Sequence, residues 1–253
     1  MKYDLTDETL TYQDHTLRRI RYRSGITGGW LESEKNLSQK DLAQVLDEAK
    51  VFGEAKIFGA ARVIGHAVVG GSAWVYGDAK VSDNAEIDGT AQIFECAAVY
   101  GNAIVDYGAK IFKFAKVKGL AHVCGNAQIS GSACVSGNAE IGGDAQITDC
   151  AWISGDAIIN GKSIVSGNAK IFDRATVSDN AQIFDFVEVF GMSTVCGGAR
   201  VFGETIIFQN SVVSGGAIVA GKIILCENAE VSGCVELWGD GLVLKNLYNG
   251  EVG

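Results

Sequence analysis

Three histidines and seven cysteines are the residues of this sequence best suited to proton transfer, nucleophilic attack or metal ligation. A histidine exchanges a proton near neutral pH, and its ring nitrogens ligate transition metals. His15 falls in a predicted hairpin turn, His66 at a corner of a six-residue repeat and His122 at an outward position of that repeat. A base also needs a substrate pocket, so each is weighed against an ordinary surface histidine, and His122 is the candidate catalytic base. Neither His66 nor His122 has a second ligand at local spacing, and no Cys-x-x-Cys pair occurs, so no metal site is expected. The sequence also lacks a phosphate loop and a nucleophile elbow. The odd cysteine count reads as thiols in a reducing compartment, hence a cytoplasmic protein. Cys96 and Cys150 share a register but lie three 18-residue coils apart, about 14 Å at the β-strand spacing, which is beyond disulfide reach.

The elements that must position these groups follow from one periodicity. Alanine returns every six residues from Ala49 through Ala115 and on to Ala157, resumes at Ala169 and reaches Ala229. Two residues after each comes Ile or Val, as at Val51, Ile57 and Val63, and two later a glycine or aspartate, as at Gly53, Gly59 and Asp83. In extended chain alternate side chains face opposite ways, so Ala and Ile/Val point inward. Gly with Asn or Asp turns the corner, because these residues tolerate positive φ. Small alanine is expected near the middle of each side and Ile/Val near the corners. The 204 residues from 43 to 246 make 34 such units, or about eleven three-sided coils. The expected fold is all-β, a single-stranded parallel β-helix of triangular cross-section. Residues 1–42 lie outside the repeat and residues 247–253 form a tail.

This unit, Ala-x-Ile/Val-x-Gly-Asn/Asp, resembles the hexapeptide-repeat left-handed β-helix family over about four fifths of the chain. The left hand is what the resemblance implies, since spacing alone gives only three sides. Ahead of the repeat, Thr9–Gln13 and Thr16–Arg23 read as strands around Asp14-His15. Gly25 to Gln39 is turn-rich with one large aromatic, Trp30. An open coil end exposes backbone and apolar interior, so this segment is read as a cap. Ser38-x-x-Asp41 could instead start a short helix over Leu42–Leu46. The hairpin, the Gly-Gly-Trp stretch with Glu32 and Glu34, and Asn36-Leu37-Ser38 resemble the YdcK-like group of hexapeptide proteins, found in bacteria and prophages. That resemblance implies acyl transfer from acyl-CoA, with a histidine base and a cofactor held between subunits. The unbroken register, however, leaves no room for the large loop that such enzymes use.

Outward positions carry the other signal. One ladder reads Phe58, Tyr76, Phe94, Phe112, then Ser130, Thr148, Ser166, then Phe184, Phe202, Ala220 and Trp238. On the next side Phe172, Phe190, Phe208, Cys226 and Leu244 stack beside Ile206, Ile224 and Leu242. Such ladders stabilise adjacent strands by cross-strand packing, but a contiguous apolar surface also marks an interface. Phe190, Ile206, Phe208, Ile224, Leu242 and Leu244 are therefore assigned to a self-association surface, with a dimer or trimer expected. A net charge of −9, its acid excess on residues 43–246, disfavours a nucleic-acid partner. No segment approaches the roughly 20 apolar residues of a membrane span. The reading is a non-catalytic scaffold or binding protein without a cofactor, whose further partner is a protein or a small molecule. The alternative is an acetyl-CoA-dependent acyltransferase using His122. End-to-end polymerisation is disfavoured by the predicted cap.

Overall fold

A computed structural model describes residues 1–244, 246 and 247. It divides into two compact units, Met1–Gly125 and Asn126–Gly253. Each contains a parallel β-solenoid, and the coils are those of a left-handed β-helix. In the first unit Gln44–Val45 pairs with Arg62–Val63, Lys50–Val51 with Val68–Val69, and Lys56–Ile57 with Trp74–Val75. Three sides thus close in 18 residues. The second unit repeats the scheme, with Gln128–Ile129 on Gln146–Ile147, Cys134–Val135 on Trp152–Ile153, and Glu140–Ile141 on Ile158–Ile159. Each coil gives the next its backbone partners, as where Lys50 N donates to Ala67 O at 2.9 Å. That satisfies the polar backbone of strands only two residues long.

The interior is built as the repeat dictates: the inward Ala, Ile and Val of both units are almost completely buried. The placement along each side differs from expectation. Each strand consists of the outward residue and its Ile or Val, while alanine is the first residue after the corner, donating weakly to the residue three back, as Ala55 N does to Phe52 O at 3.4 Å. Most corners carry a small side chain there, although Val187 fills the same position fully buried. Hydroxyl residues interrupt the alanine at several corners. Ser163, Ser193 and Thr205 occupy the alanine position fully buried, and their hydroxyls donate to Asn160 O, Phe190 O and Phe202 O at 2.6, 2.8 and 3.1 Å. At these three corners the carbonyl accepts the hydroxyl, whereas Ser211, buried at the same position, has no hydrogen-bond partner for its Oγ.

Corner aspartates follow a second rule. Asp83, Asp149, Asp173, Asp179 and Asp185 all have φ between 57° and 63°, a conformation costly for a residue with a Cβ. Each offsets that cost through Oδ2, which accepts the N–H of the corner glycine 18 residues later: Gly101, Gly167, Gly191, Gly197 and Gly203, at 2.9–3.2 Å. Gly161 shows why glycine precedes such an aspartate: a Cβ there would lie 2.5 Å from Asp179 O.

Before the coils, β1 (Tyr3–Tyr12) and β2 (His15–Tyr22) form an antiparallel hairpin whose turn is Gln13-Asp14, both at positive φ. His15 is therefore not in the turn but opens β2, opposite Tyr12. The stretch read as turn-rich contains β3 (Thr27–Leu31), antiparallel to β2 and parallel to Lys50–Val51. Gly28 and Gly29 allow this approach, since Cβ atoms there would lie 2.8 Å from Val45 O and 2.5 Å from Ala49 O. Leu37 then bridges Ile57, so a coil begins ahead of Ala43. Tyr22 closes its start: the hydroxyl accepts from Val45 N at 2.8 Å and donates to Val45 O at 3.1 Å. No helix covers Leu42–Leu46. The capping box is at Ser33 and Asn36, around a single 3-10 turn, and Asp41 instead accepts from Ala43 N and Gly59 N. Buried Asn36 also donates to Gly53 O and Ala55 O at 3.0 Å each.

In the second unit the closing strands lengthen. Ile218–Leu225 and Glu236–Val243 run straight through the corner position, pairing residue by residue over eight positions. Leu237 and Val243, at interior positions, remain half-buried on this last strand. Leu247 is buried and bridges Val231; the rest of the tail lies outside the described residues.

Candidate functional site

The three histidines have different surroundings. His66 is exposed at its corner. His15 Nδ1 lies 3.0 Å from Glu32 Oε1 and its ring packs on Phe52 at 4.7 Å. The hydrogen bond from His15, and a second from Gly53 N at 2.6 Å, hold the Glu32 carboxyl below its usual range. Every group there is engaged in tying the hairpin to the coil.

His122 is placed differently. It and Cys124 are alternate residues of one side, so both point outward. Asp106 is 18 residues before Cys124 and stands in the same column, one coil away. His122 Nε2 lies 3.1 Å from both oxygens of Asp106. The ligand atoms of Asp106, His122 and Cys124 all fall within 4.8 Å of one another, and all three residues are half-buried. Beside them is a shallow depression of about 220 Å³ lined by Asp88, Gly89, Asp106 and Tyr107. Cys124 stands two residues from His122 on the same side, and the coil adds Asp106 from one turn away. The signal in the sequence is Asp-x15-His-x-Cys, visible only once the 18-residue period is applied.

The aromatic ladders pack on themselves. In the first unit Phe58, Tyr76, Phe94 and Phe112 stack face to face with centroids 4.8–5.0 Å apart and planes within 3° of parallel. In the second, Phe172, Phe190 and Phe208 stack at 4.8 and 5.2 Å. Ring spacing matches strand spacing, so each face is covered by the next ring. These rings, with Phe184 and Phe202, are half-buried rather than fully displayed. Trp238 is the exception at 62% exposed, set edge-on to Phe202.

The strip predicted near the C-terminal end is different. Ile206, Ile224 and Leu242 are in register on successive strands. Ile224, Leu242 and Leu244 are 37, 59 and 47% exposed. A groove of about 390 Å³ lined by Phe186, Glu188, Glu204 and Ile206 runs into this strip. Phe186 and Met192, both at corners and both 61% exposed, add apolar surface to the same unit that sequence reasoning did not single out. Among the described residues no helix is long and apolar enough to cross a membrane. No protein-family model matches the chain, and no curated protein matches it significantly.

Proposed function

We propose that this chain is a non-catalytic β-helical scaffold or binding protein, cytoplasmic, that self-associates as a dimer or trimer through the strip of Ile206, Ile224, Leu242 and Leu244. The observation that carries the reading is the exposure of Leu242 and Leu244 beside in-register Ile224. Apolar side chains of this size in contiguous array are solvated poorly and are buried favourably against a second copy. The 390 Å³ groove at Ile206, with acids Glu188 and Glu204 on its walls, is where a small molecule or a short segment of a partner protein would dock. The resemblance to YdcK-like proteins supports a bacterial or prophage source.

The strip is tested by substituting its freest members. Phe190 and Phe208 belong to the stacked ladder, so a charge there would disturb the strands as well as the surface. Leu242→Glu with Leu244→Glu spares the stacked rings. The double variant is expected to lose self-association in multi-angle light scattering while keeping the wild-type far-ultraviolet spectrum. An unchanged mass would refute the assignment.

One observation favours the acyltransferase reading: Asp106 holds the His122 ring as an orienting carboxylate holds a general base. That reading requires acetyl-CoA to bind, and native mass spectrometry with and without it decides the matter. A stoichiometric adduct would favour the enzyme, and a bare oligomer the scaffold.

A further inference from the structure

The geometry points to a binding site for one divalent transition-metal ion, of the zinc type, formed by Asp106, His122 and Cys124. The donor set is an oxygen, a nitrogen and a sulfur, each from a side chain known to ligate zinc. Magnesium and calcium prefer oxygen alone, and a thiolate beside an imidazole selects against them. In a tetrahedral site with metal–ligand bonds of about 2.0–2.3 Å, ligand atoms stand roughly 3.3–3.8 Å apart. The three donors here already lie within 4.8 Å of one another, with the imidazole–carboxylate distance at 3.1 Å, so side-chain adjustments of roughly 1–1.5 Å complete the triangle. The backbone need not move, because each ligand is fixed by the coil. Asp106 N donates to Val123 O at 3.0 Å, joining the coil that carries the carboxylate to the one that carries His122 and Cys124.

Access is open. The His122 and Asp106 side chains are 37 and 24% exposed, and the depression beside Asp106 leads to solvent. Three protein ligands leave a fourth position for water or a ligand atom of a bound molecule. On binding, the Cys124 thiol gives its proton to solvent and ligates as thiolate, His122 ligates through a neutral ring nitrogen and Asp106 as carboxylate. The ion would bridge two successive coils, so its binding adds to their stability. It would also occupy the lone pair that a general base needs, making the metal and base roles of His122 mutually exclusive. This inference does not depend on self-association.

The test is titration of the full chain with Co²⁺, followed by its thiolate-to-cobalt charge-transfer band in the near ultraviolet. The wild type is expected to saturate at a single Co²⁺ per chain, and Zn²⁺ to displace it. Cys124→Ser should abolish the band, and His122→Ala and Asp106→Asn should each weaken binding at least about tenfold, the loss that even outer partners of metal ligands produce. Cys150→Ser, at an exposed position in the second unit, should leave the titration unchanged. Far-ultraviolet circular dichroism of each variant checks that the coils persist. Absence of the band in the wild type, or its retention in Cys124→Ser, would overturn the proposal.

Discussion

Replacing Ile147 with aspartate is expected to unfold the second unit, and the soluble yield and thermal melt of that variant would show it. Ile147 is fully buried, paired in register with Ile129 before it and Val165 after it. The interior around this position is alanine, isoleucine and valine, with the Ser163 hydroxyl on the next coil already donated to Asn160 O. Burying an unpaired carboxylate there costs several kcal/mol, and even the protonated acid finds no partner. The hydroxyls of Ser163, Ser193 and Thr205 sit at the alanine position, where a corner carbonyl accepts them; Ile147 lies on a strand between Ile129 and Val165. In a solenoid each coil is stabilised mainly by its two neighbours, so a broken coil uncouples both. Ile147→Val, which removes one methylene, is expected to cost only about 1 kcal/mol and to remain folded.

Alkaline pH is expected to destabilise the first unit steeply from about pH 10 upward. Burial pushes the Tyr22 phenol up to about 12. Burial, reinforced by Glu34 and Tyr22 nearby, raises Tyr3 further. Below the ordinary tyrosine value of about 10 both states hold both protons, so stability there is independent of these groups. Above it the unfolded chain releases protons that the folded chain retains, and stability falls until pH passes the folded values. The slope is about 1.4 kcal/mol per pH unit for each tyrosine, roughly 2.7 for the pair. Half-buried Tyr12 and Tyr76 are raised in the same direction. Urea titrations between about pH 9 and 12 measure this. Tyr22→Phe should lower stability at neutral pH by about 1–3 kcal/mol, since Val45 N and O lose their partner. Its loss above pH 10 should nonetheless be shallower than in the wild type. An equal slope would show that the tyrosines do not control it.

The coil was legible in the sequence because one physical rule, inward Ala and Ile/Val with a corner every six residues, is repeated with little interruption. Outside that rule the N-terminal hairpin was legible, but other features were not. Gly28-Gly29 looked like turn residues, but they are glycines so that β3 can approach Val45 and Ala49 closely. Alanine's place beside the corner, rather than mid-side, is set by turn geometry that six-residue spacing does not specify. The ladders were legible as columns, yet their half-burial depends on rings lying parallel, as Phe94 and Phe112 do at 0°. Asp106, His122 and Cys124 are not legible as a group from local spacing, because Asp106 lies 16 residues before His122. In a solenoid, neighbours are 16–18 residues apart, as the His122–Asp106 contact shows.

Self-association through the strip is the central claim, and sedimentation equilibrium of the full chain over a range of concentrations tests it most directly. The chain mass is 26.6 kDa. A fitted mass two or three times larger for the wild type, reduced to the chain mass in Leu242→Glu with Leu244→Glu, is the predicted result. A wild type that sediments at 26.6 kDa at every concentration would contradict the account.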